Sequence, residues 1–394
     1  MLASLATSHP SFFLISLSLF LSVLSYLLLS LAAQYLLLFD NSPRLLLHSS
    51  PLLRWDSFHF THIATHGYFY EHEWAFFPAL PAILRILHSP YSLPPLLAAL
   101  TCDSALTLYQ LSLYHLRSPS LALIAAILFL LPSSPVTLRL APYTEPFFTY
   151  LSYKGMLYCT QKRWFFAAVC FSIASTFRSN GFLLSGYILW GMLVQPFITK
   201  NNASVSLSTL MAAVFLTTLV LLPFIYHNYI AYTLFCTHPP NSNPLWCSRL
   251  FPSIYAHVQE SYWNSGFLRY WTLSQLPNFL ISAPLFILIL SFSIQYFLTH
   301  TLSTFPSFID PIDQLFQNLS LLPHATYSIV VATILLTSAH VQIILRLASS
   351  IPLTYWASVM FMSKSAQVRH WILAWSVVWS IISIILWTAF LPPA

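Results

Sequence analysis

Charge is what this sequence lacks. Of 394 residues only 6% are Asp, Glu, Lys or Arg, and just nine are acidic. A water-soluble domain carries about 25% charged residues, so a surface this poor in charge would not be solvated. That argues against a soluble protein with an unusually large core. Basic clusters are missing as well. The formal net charge is +6, yet the basic residues are dispersed singly and only Lys162-Arg163 are adjacent. Nucleic-acid binding needs a clustered patch, and no nucleic-acid partner is expected. There is no internal repeat and no separate soluble domain. The first apolar run is too long for a cleaved signal peptide and lacks both a basic n-region and a small-x-small cleavage site. It reads as a retained first transmembrane helix.

What is there is apolar. The chain is 57% hydrophobic, with a mean hydropathy of +0.72. Residues 11–39 hold no charge, and 207–226 and 281–298 are similar. A span of the hydrocarbon core needs about 20 apolar residues. The expected fold class is therefore an all-α polytopic membrane protein, a single multi-span domain over 1–394. Turn signals and isolated charges divide it into about eleven apolar segments. These are 11–39, 92–116, 120–131, 146–160, 164–177, 182–199, 207–226, 278–299, 324–346, 351–362 and 371–391.

Two hydrophilic stretches, 40–91 and 227–277, fall on one side of the membrane by helix parity. Short basic turns at Arg117, Lys162-Arg163, Lys200 and Lys364 fall on the other, as the cytosol favours. Arg44, Arg54, Arg85, Arg249 and Arg269 dilute that asymmetry. Cys236 and Cys247 flank a Pro/Asn-rich loop. They are either a disulfide, which needs an oxidising compartment, or two free thiols. The disulfide reading puts both large stretches in a lumen. Cys102, Cys159 and Cys170 lie in apolar runs and read as small buried hydrophobes. The acceptor sequons at Asn202 and Asn318 then face the cytosol and go unused.

Against this background one stretch stands out. Residues 54–81 read RWDSFHFTHIATHGYFYEHEWAFFPALP. Asp56, His59, His62, His66, Glu71, His72 and Glu73 fall within it, beside Trp55 and Trp74. Read as a helix along the membrane surface, Trp55 to His66 puts Asp56, His59, Ile63 and His66 near one face. A carboxylate and imidazoles so placed suit acid–base or charge-stabilising work. An aromatic belt with solvated polar groups is the bland alternative. The Asp-x2-His-x2-His-x3-His run has metal-ligand types without a known zinc spacing, and no metal or cofactor is expected. Polar islands elsewhere are Glu145 in Ala-Pro-Tyr-Thr-Glu-Pro, Arg178-Ser179-Asn180-Gly181, Pro277-Asn278 and Asp103. An ionisable group at membrane depth is a functional hypothesis by default. The structural alternative pairs Arg178 with Glu145 or Asp103. A guanidinium also suits phosphate.

Several motifs resemble one family. Trp55-Asp56-x-x-His59-Phe60, Ile63-Ala64-x-x-Gly67-Tyr68-x-Tyr70-Glu71-His72 and Ala75-Phe76-Phe77-Pro78 are similar to the first luminal loop of the GPI mannosyltransferase 2 family. Arg178-Ser179-Asn180-Gly181, Pro244-Leu245-Trp246-Cys247, Ser261-Tyr262-Trp263-Asn264, Gln275-Leu276-Pro277-Asn278, His340-Val341-Gln342 and Pro352-Leu353-Thr354-Tyr355-Trp356 fit in order and spacing. The sequence departs from the pattern at Ala79, where glycine is usual, and at Pro142 and Pro146 around Glu145. His62 and Glu73 stand outside the pattern, and the loops at 300–323 and 363–370 look short.

The resemblance implies a GT-C type glycosyltransferase of the endoplasmic reticulum membrane. Its donor would be dolichyl phosphate mannose and its acceptor a GPI precursor bearing one mannose. The new bond would be α-1,6, formed with inversion on the luminal side. Asp56 is then the expected base. Arg178, His59, His66 and Asn180 are candidates for the donor phosphate or acceptor. Trp55, Tyr70, Glu71, His72 and Glu145 are candidates for the sugars. A small membrane partner subunit stays open. The competing class is a lipid or sugar transporter, which would show paired broken helices or pseudo-symmetry.

Overall fold

The computed structural model describes residues 8–39, 50–199, 205–237, 244–302 and 318–391. Residues 40–49, which open the expected first loop, lie outside these ranges, as do Lys200 and the Asn202 sequon. Every regular element among the described residues is helical. In chain order they begin with α1 (Pro10–Tyr35), α2 (Asp56–His66), α3 (Ala79–Leu87), α4 (Leu93–Leu116) and α5 (Pro119–Phe129). Then come α6 (Pro135–Arg139), α7 (Glu145–Thr160) and α8 (Trp164–Ser175), followed by α9 (Ser179–Ile198). Next are α10 (Leu207–Tyr232), α11 (Ile254–Ser261), α12 (Leu276–Leu302) and α13 (Leu322–Ser338). The chain closes with α14 (Val341–Ser350), α15 (Pro352–Lys364) and α16 (Ala366–Thr388).

Among the described residues seven helices are long and apolar enough to cross a membrane, or eight with α14–α15 counted as one bent span. The remaining apolar segments form α5, α7 and α8, of 11, 16 and 12 residues, short of the length of a straight span. They pack against longer helices and one another; α7 contacts the 24-residue α4 and the short α8. The expected segment 324–346 is not one helix. α13 stops at Ser338, and α14 and α15 meet at 88°. Pro352 removes a backbone donor and forces Ile351 into extended geometry (φ −106°, ψ 99°), the restriction expected before proline.

The packing is inverted relative to a soluble protein. α1 buries Leu14, Ser18, Ser22, Ser25 and Leu29 while Phe12, Phe20, Leu27 and Leu31 are exposed. Lipid offers no hydrophobic drive between helices, so small polar residues take the contact face. Arg139, buried with no carboxylate beside it among the described residues, donates to the Ser18 carbonyl, to Ser22 Oγ and to the Leu130 carbonyl. One cation thereby ties α1 to the α5–α6 corner.

Candidate active site

α2 begins under strain. Trp55 has φ +52°, a conformation costly for a residue with a side chain. It is held by stacking on Phe390, with ring centroids 4.8 Å apart. The Asp56 backbone amide donates to the Tyr143 hydroxyl (3.2 Å), which reaches back to the Arg54 carbonyl (3.4 Å). The helix ends at Gly67, whose φ of +79° is natural only to glycine. Arg85 donates to the carbonyl of Ala64 (2.8 Å) and shares that of Ile63 (3.3 Å) with the Gly67 amide. Phe60, Ile63 and Ala64 are buried beneath the helix.

This framing puts Asp56 at the head of a row of alternating charges. Arg346 Nη1 donates to Asp56 Oδ2 at 3.0 Å. Arg346 Nε lies 3.7 Å from Glu145 Oε1. Arg178 Nη1 donates to the same Glu145 oxygen at 2.6 Å and to Thr144 Oγ1 at 3.2 Å. Side-chain exposure is 37% for Asp56 but 2% for Glu145, so only Asp56 is open to a reactant. Glu145 Oε2, Arg346 Nε and Asn180 Nδ2 are buried without a hydrogen-bond partner. Buried polar groups are nearly always satisfied, so these atoms mark unused bonding capacity in the cluster. The Arg178 turn is fixed by Gly181. A Cβ there would meet the Ser175 backbone at 2.5 Å, so no larger residue lets the chain pass.

Sequence reading paired Arg178 with Glu145 or Asp103; the structure selects Glu145. Asp103 instead meets Lys154 at 2.9 Å. Sequence reading missed Arg346, which it absorbed into an apolar span. A lone cation inside Ile344-Leu345-Arg346-Leu347 was itself the signal.

The rest of the first loop is largely scaffold. Glu73, 1% exposed, binds His62 Nδ1 at 2.5 Å. Its other oxygen accepts from the amides of Phe69 and Tyr70, both at 2.9 Å. The two residues outside the family pattern are thus each other's partner. Glu73→Ala should remove the bonds to His62 and to two amides, worth about 0.5–1.5 kcal/mol each. Faster proteolysis between 67 and 76 and a lower unfolding temperature are the expected outcomes. Unchanged cleavage would contradict the stapling role.

Glu71, a candidate for sugar binding, has both oxygens engaged. Trp246 Nε1 donates to one (3.1 Å) and the Tyr262 hydroxyl to the other (3.0 Å), with His257 at 3.4 Å. Glu71 therefore bolts the first loop to the second, which puts both on one face of the molecule by contact. His72 stacks on Tyr70 (5.5 Å) and lies beside Tyr262 (5.6 Å). His66 stacks on His62 (4.7 Å). It sits ten residues beyond Asp56, about 15 Å along the helix, too far to share its reactant.

His59, one turn from Asp56, stacks on Phe76 at 4.7 Å and meets His72 edge-on at 5.3 Å. Burial holds its imidazole below the ordinary 6.5, His72 and His62 acting likewise while Asp56 and Glu73 oppose. The folded state thus binds this proton more weakly than the unfolded state. The resulting stability is whole above 6.5 and declines as pH falls through that value. Unfolding temperature should drop from pH 7.5 to 5.5, and His59→Phe should flatten part of the drop. An unaltered slope would show that His59 titrates freely.

Cys236 and Cys247 are bonded, their Cα atoms 5.6 Å apart. Motif residues further along also prove to be joinery. Asn278 donates to the Tyr270 hydroxyl (2.8 Å), which donates to Gln342 (2.8 Å). His340 stacks on Tyr270 at 4.6 Å. Among the described residues no three His, Cys, Asp or Glu side chains converge as metal ligands.

Fold and site together define a multi-span helical membrane protein with a carboxylate–guanidinium cluster beneath its paired loops. Comparison with known proteins narrows this. The chain belongs to the mannosyltransferase (PIG-V) family, whose model matches residues 13–394. It is 31% identical to GPI mannosyltransferase 2 of Cryptococcus neoformans over 94% of this chain and 96% of that one. It is 33% identical to human GPI alpha-1,6-mannosyltransferase 2 over 77% of this chain and 72% of that one. The Schizosaccharomyces pombe GPI mannosyltransferase 2 is 29% identical over 95% and 83%. No solved structure matches.

Proposed function

We propose that this chain is a GT-C type α-1,6-mannosyltransferase of the endoplasmic reticulum membrane. It transfers mannose from dolichyl phosphate mannose to a GPI precursor that already carries one mannose. Family membership supports the reaction class, and the transporter alternative finds no support there. The bonded cysteines and the contact between the two loops support a luminal site.

The observation that carries the reading is the half-open Asp56 carboxylate, 3.0 Å from Arg346 and backed by Glu145 and Arg178. Asp56 accepts the proton of the acceptor's 6-hydroxyl as its oxygen bonds to the anomeric carbon. The bond from that carbon to the phosphate oxygen breaks on the opposite side. Its electron pair leaves with dolichyl phosphate, and the configuration inverts. The carboxylate also stabilises the cation-like transition state. Arg346 and Arg178 take the departing phosphate, for which guanidinium geometry is suited. His59 is the second candidate there, and Asn180 offers an unpaired amide. Trp55, partly exposed with one face on Phe390, offers its other face to a sugar; Tyr70, stacked with His62 and His72, offers its hydroxyl. Glu145 acts from burial, by holding both guanidiniums, rather than by touching sugar.

The test supplies membranes containing the chain with radiolabelled donor and mono-mannosylated precursor. The reading expects a product of two mannoses whose new bond is cut by an α-1,6-specific mannosidase. Absence of that product from well-expressed protein would overturn it.

A further inference from the structure

One large apolar groove lies apart from the loops. Its volume is about 560 Å³, and its walls include Leu288 and Ser291 of α12, Tyr355 and Phe361 of α15, and Trp371 and Trp375 of α16. That size and lining are those of a ligand pocket. The rim at Ile287 and Trp371 is exposed on helices apolar enough to span the membrane, so the groove opens toward lipid. At its inner end stand Ala348 and Ser349, on the short turn that carries Arg346. Ser349 Oγ donates to the Arg346 carbonyl at 2.8 Å. One turn thus bears a phosphate-matched guanidinium and a wall of the groove.

We infer that the groove holds the isoprenoid chain of the lipid phosphate donor, with its phosphate against Arg346. This rests on the function proposed above. The donor's reacting carbon is one phosphate away from its lipid chain, so that chain must enter the membrane beside Arg346. The acceptor hydroxyl is separated from its own lipid by several sugar rings, which frees that lipid to lie elsewhere. Charge agrees with the assignment. The Arg346 side chain is 14% exposed, so part of its guanidinium is open to a phosphate oxygen. The bilayer is as apolar as the groove, so the groove adds no hydrophobic drive. What it adds is van der Waals packing of a fitted chain, a contact made equally before and during the reaction, so it binds the donor uniformly.

The effect should therefore appear in donor KM and depend on chain length. Ser291→Trp fills the groove from an exposed position, and Leu373→Trp, on α16 but outside the lining, serves as control. With a long polyprenyl phosphate mannose, Ser291→Trp should raise donor KM about tenfold and leave kcat alone, the signature of lost uniform binding. With a ten-carbon analogue, wild type and variant should have equal KM. An unchanged long-chain KM in Ser291→Trp, or equal loss with both donors, would overturn the assignment. A binding arm separates this from failure of the proposed reaction. A long-chain polyprenyl phosphate with a diazirine on its chain should crosslink to peptides covering 284–295 and 368–376. Crosslinking there by an acyl-chain diazirine on the GPI precursor instead would give the groove to the acceptor and refute the inference. If wild type transfers nothing yet the polyprenyl probe labels the groove, the reaction assignment falls and the lipid site stands.

Discussion

Asp56→Asn should lower kcat by about 10²–10⁴-fold, the usual contribution of a positioned general base. The substitution is a clean one. Asparagine keeps the side chain's size, and its carbonyl oxygen still accepts from Arg346 Nη1, now at 3.0 Å from Asp56. The strained Trp55 and the Phe390 stack are untouched, so the fold should persist, and a normal size-exclusion profile would confirm that. Asp103→Asn is the informative contrast. Asp103 is half-exposed and pairs with Lys154, with Tyr150 hydrogen-bonded beside it, and such partly solvated pairs contribute about 0–1 kcal/mol. That variant should retain near-normal rates. Substantial transfer by Asp56→Asn would remove Asp56 from the base role.

Arg346→Gln should lower kcat by about 10²–10³-fold, as for loss of one preorganised donor to developing charge. Arg346→Lys should recover only part, since an ammonium lacks the planar fork. Stability and chemistry separate here because Glu145 has two partners. Arg178 stays on Glu145 at 2.6 Å, so Arg346→Gln leaves the buried carboxylate compensated. Glu145→Ala instead takes the carboxylate from Arg178 while Arg346 keeps Asp56, and breaking a buried pair costs about 3–5 kcal/mol. The unfolding temperature should therefore fall much further for Glu145→Ala than for Arg346→Gln. Equal losses of stability would mean that Arg346 serves folding alone.

The sequence made the membrane class, the loop that carries Asp56 and the Cys236–Cys247 pairing legible. Each is a local signal: composition, clustering in 18 residues, and two cysteines about a turn-rich loop. What it hid is non-local. Arg346 is 290 residues from Asp56, and only folding reveals their meeting. Glu71 looked like a free sugar ligand because Trp246 and Tyr262 reach it from the second loop. Glu73 and His62 looked like extra chemistry because their mutual bond needs the bend at Gly67. The α13–α14 break escaped because hydropathy continues through residues whose backbone does not. Periodicity reports which residues avoid water; it does not report where a helix turns within lipid.

We propose that this chain adds the second mannose to a GPI precursor using Asp56. The most direct test is expression in cells that lack the second GPI mannosyltransferase, reading surface GPI-anchored protein and the accumulated precursor lipid together. Wild type should restore the surface protein and clear the one-mannose precursor, while equally expressed Asp56→Asn should do neither. Wild type at normal level and location that leaves the precursor uncleared, with or without co-expressed membrane partners, would contradict it.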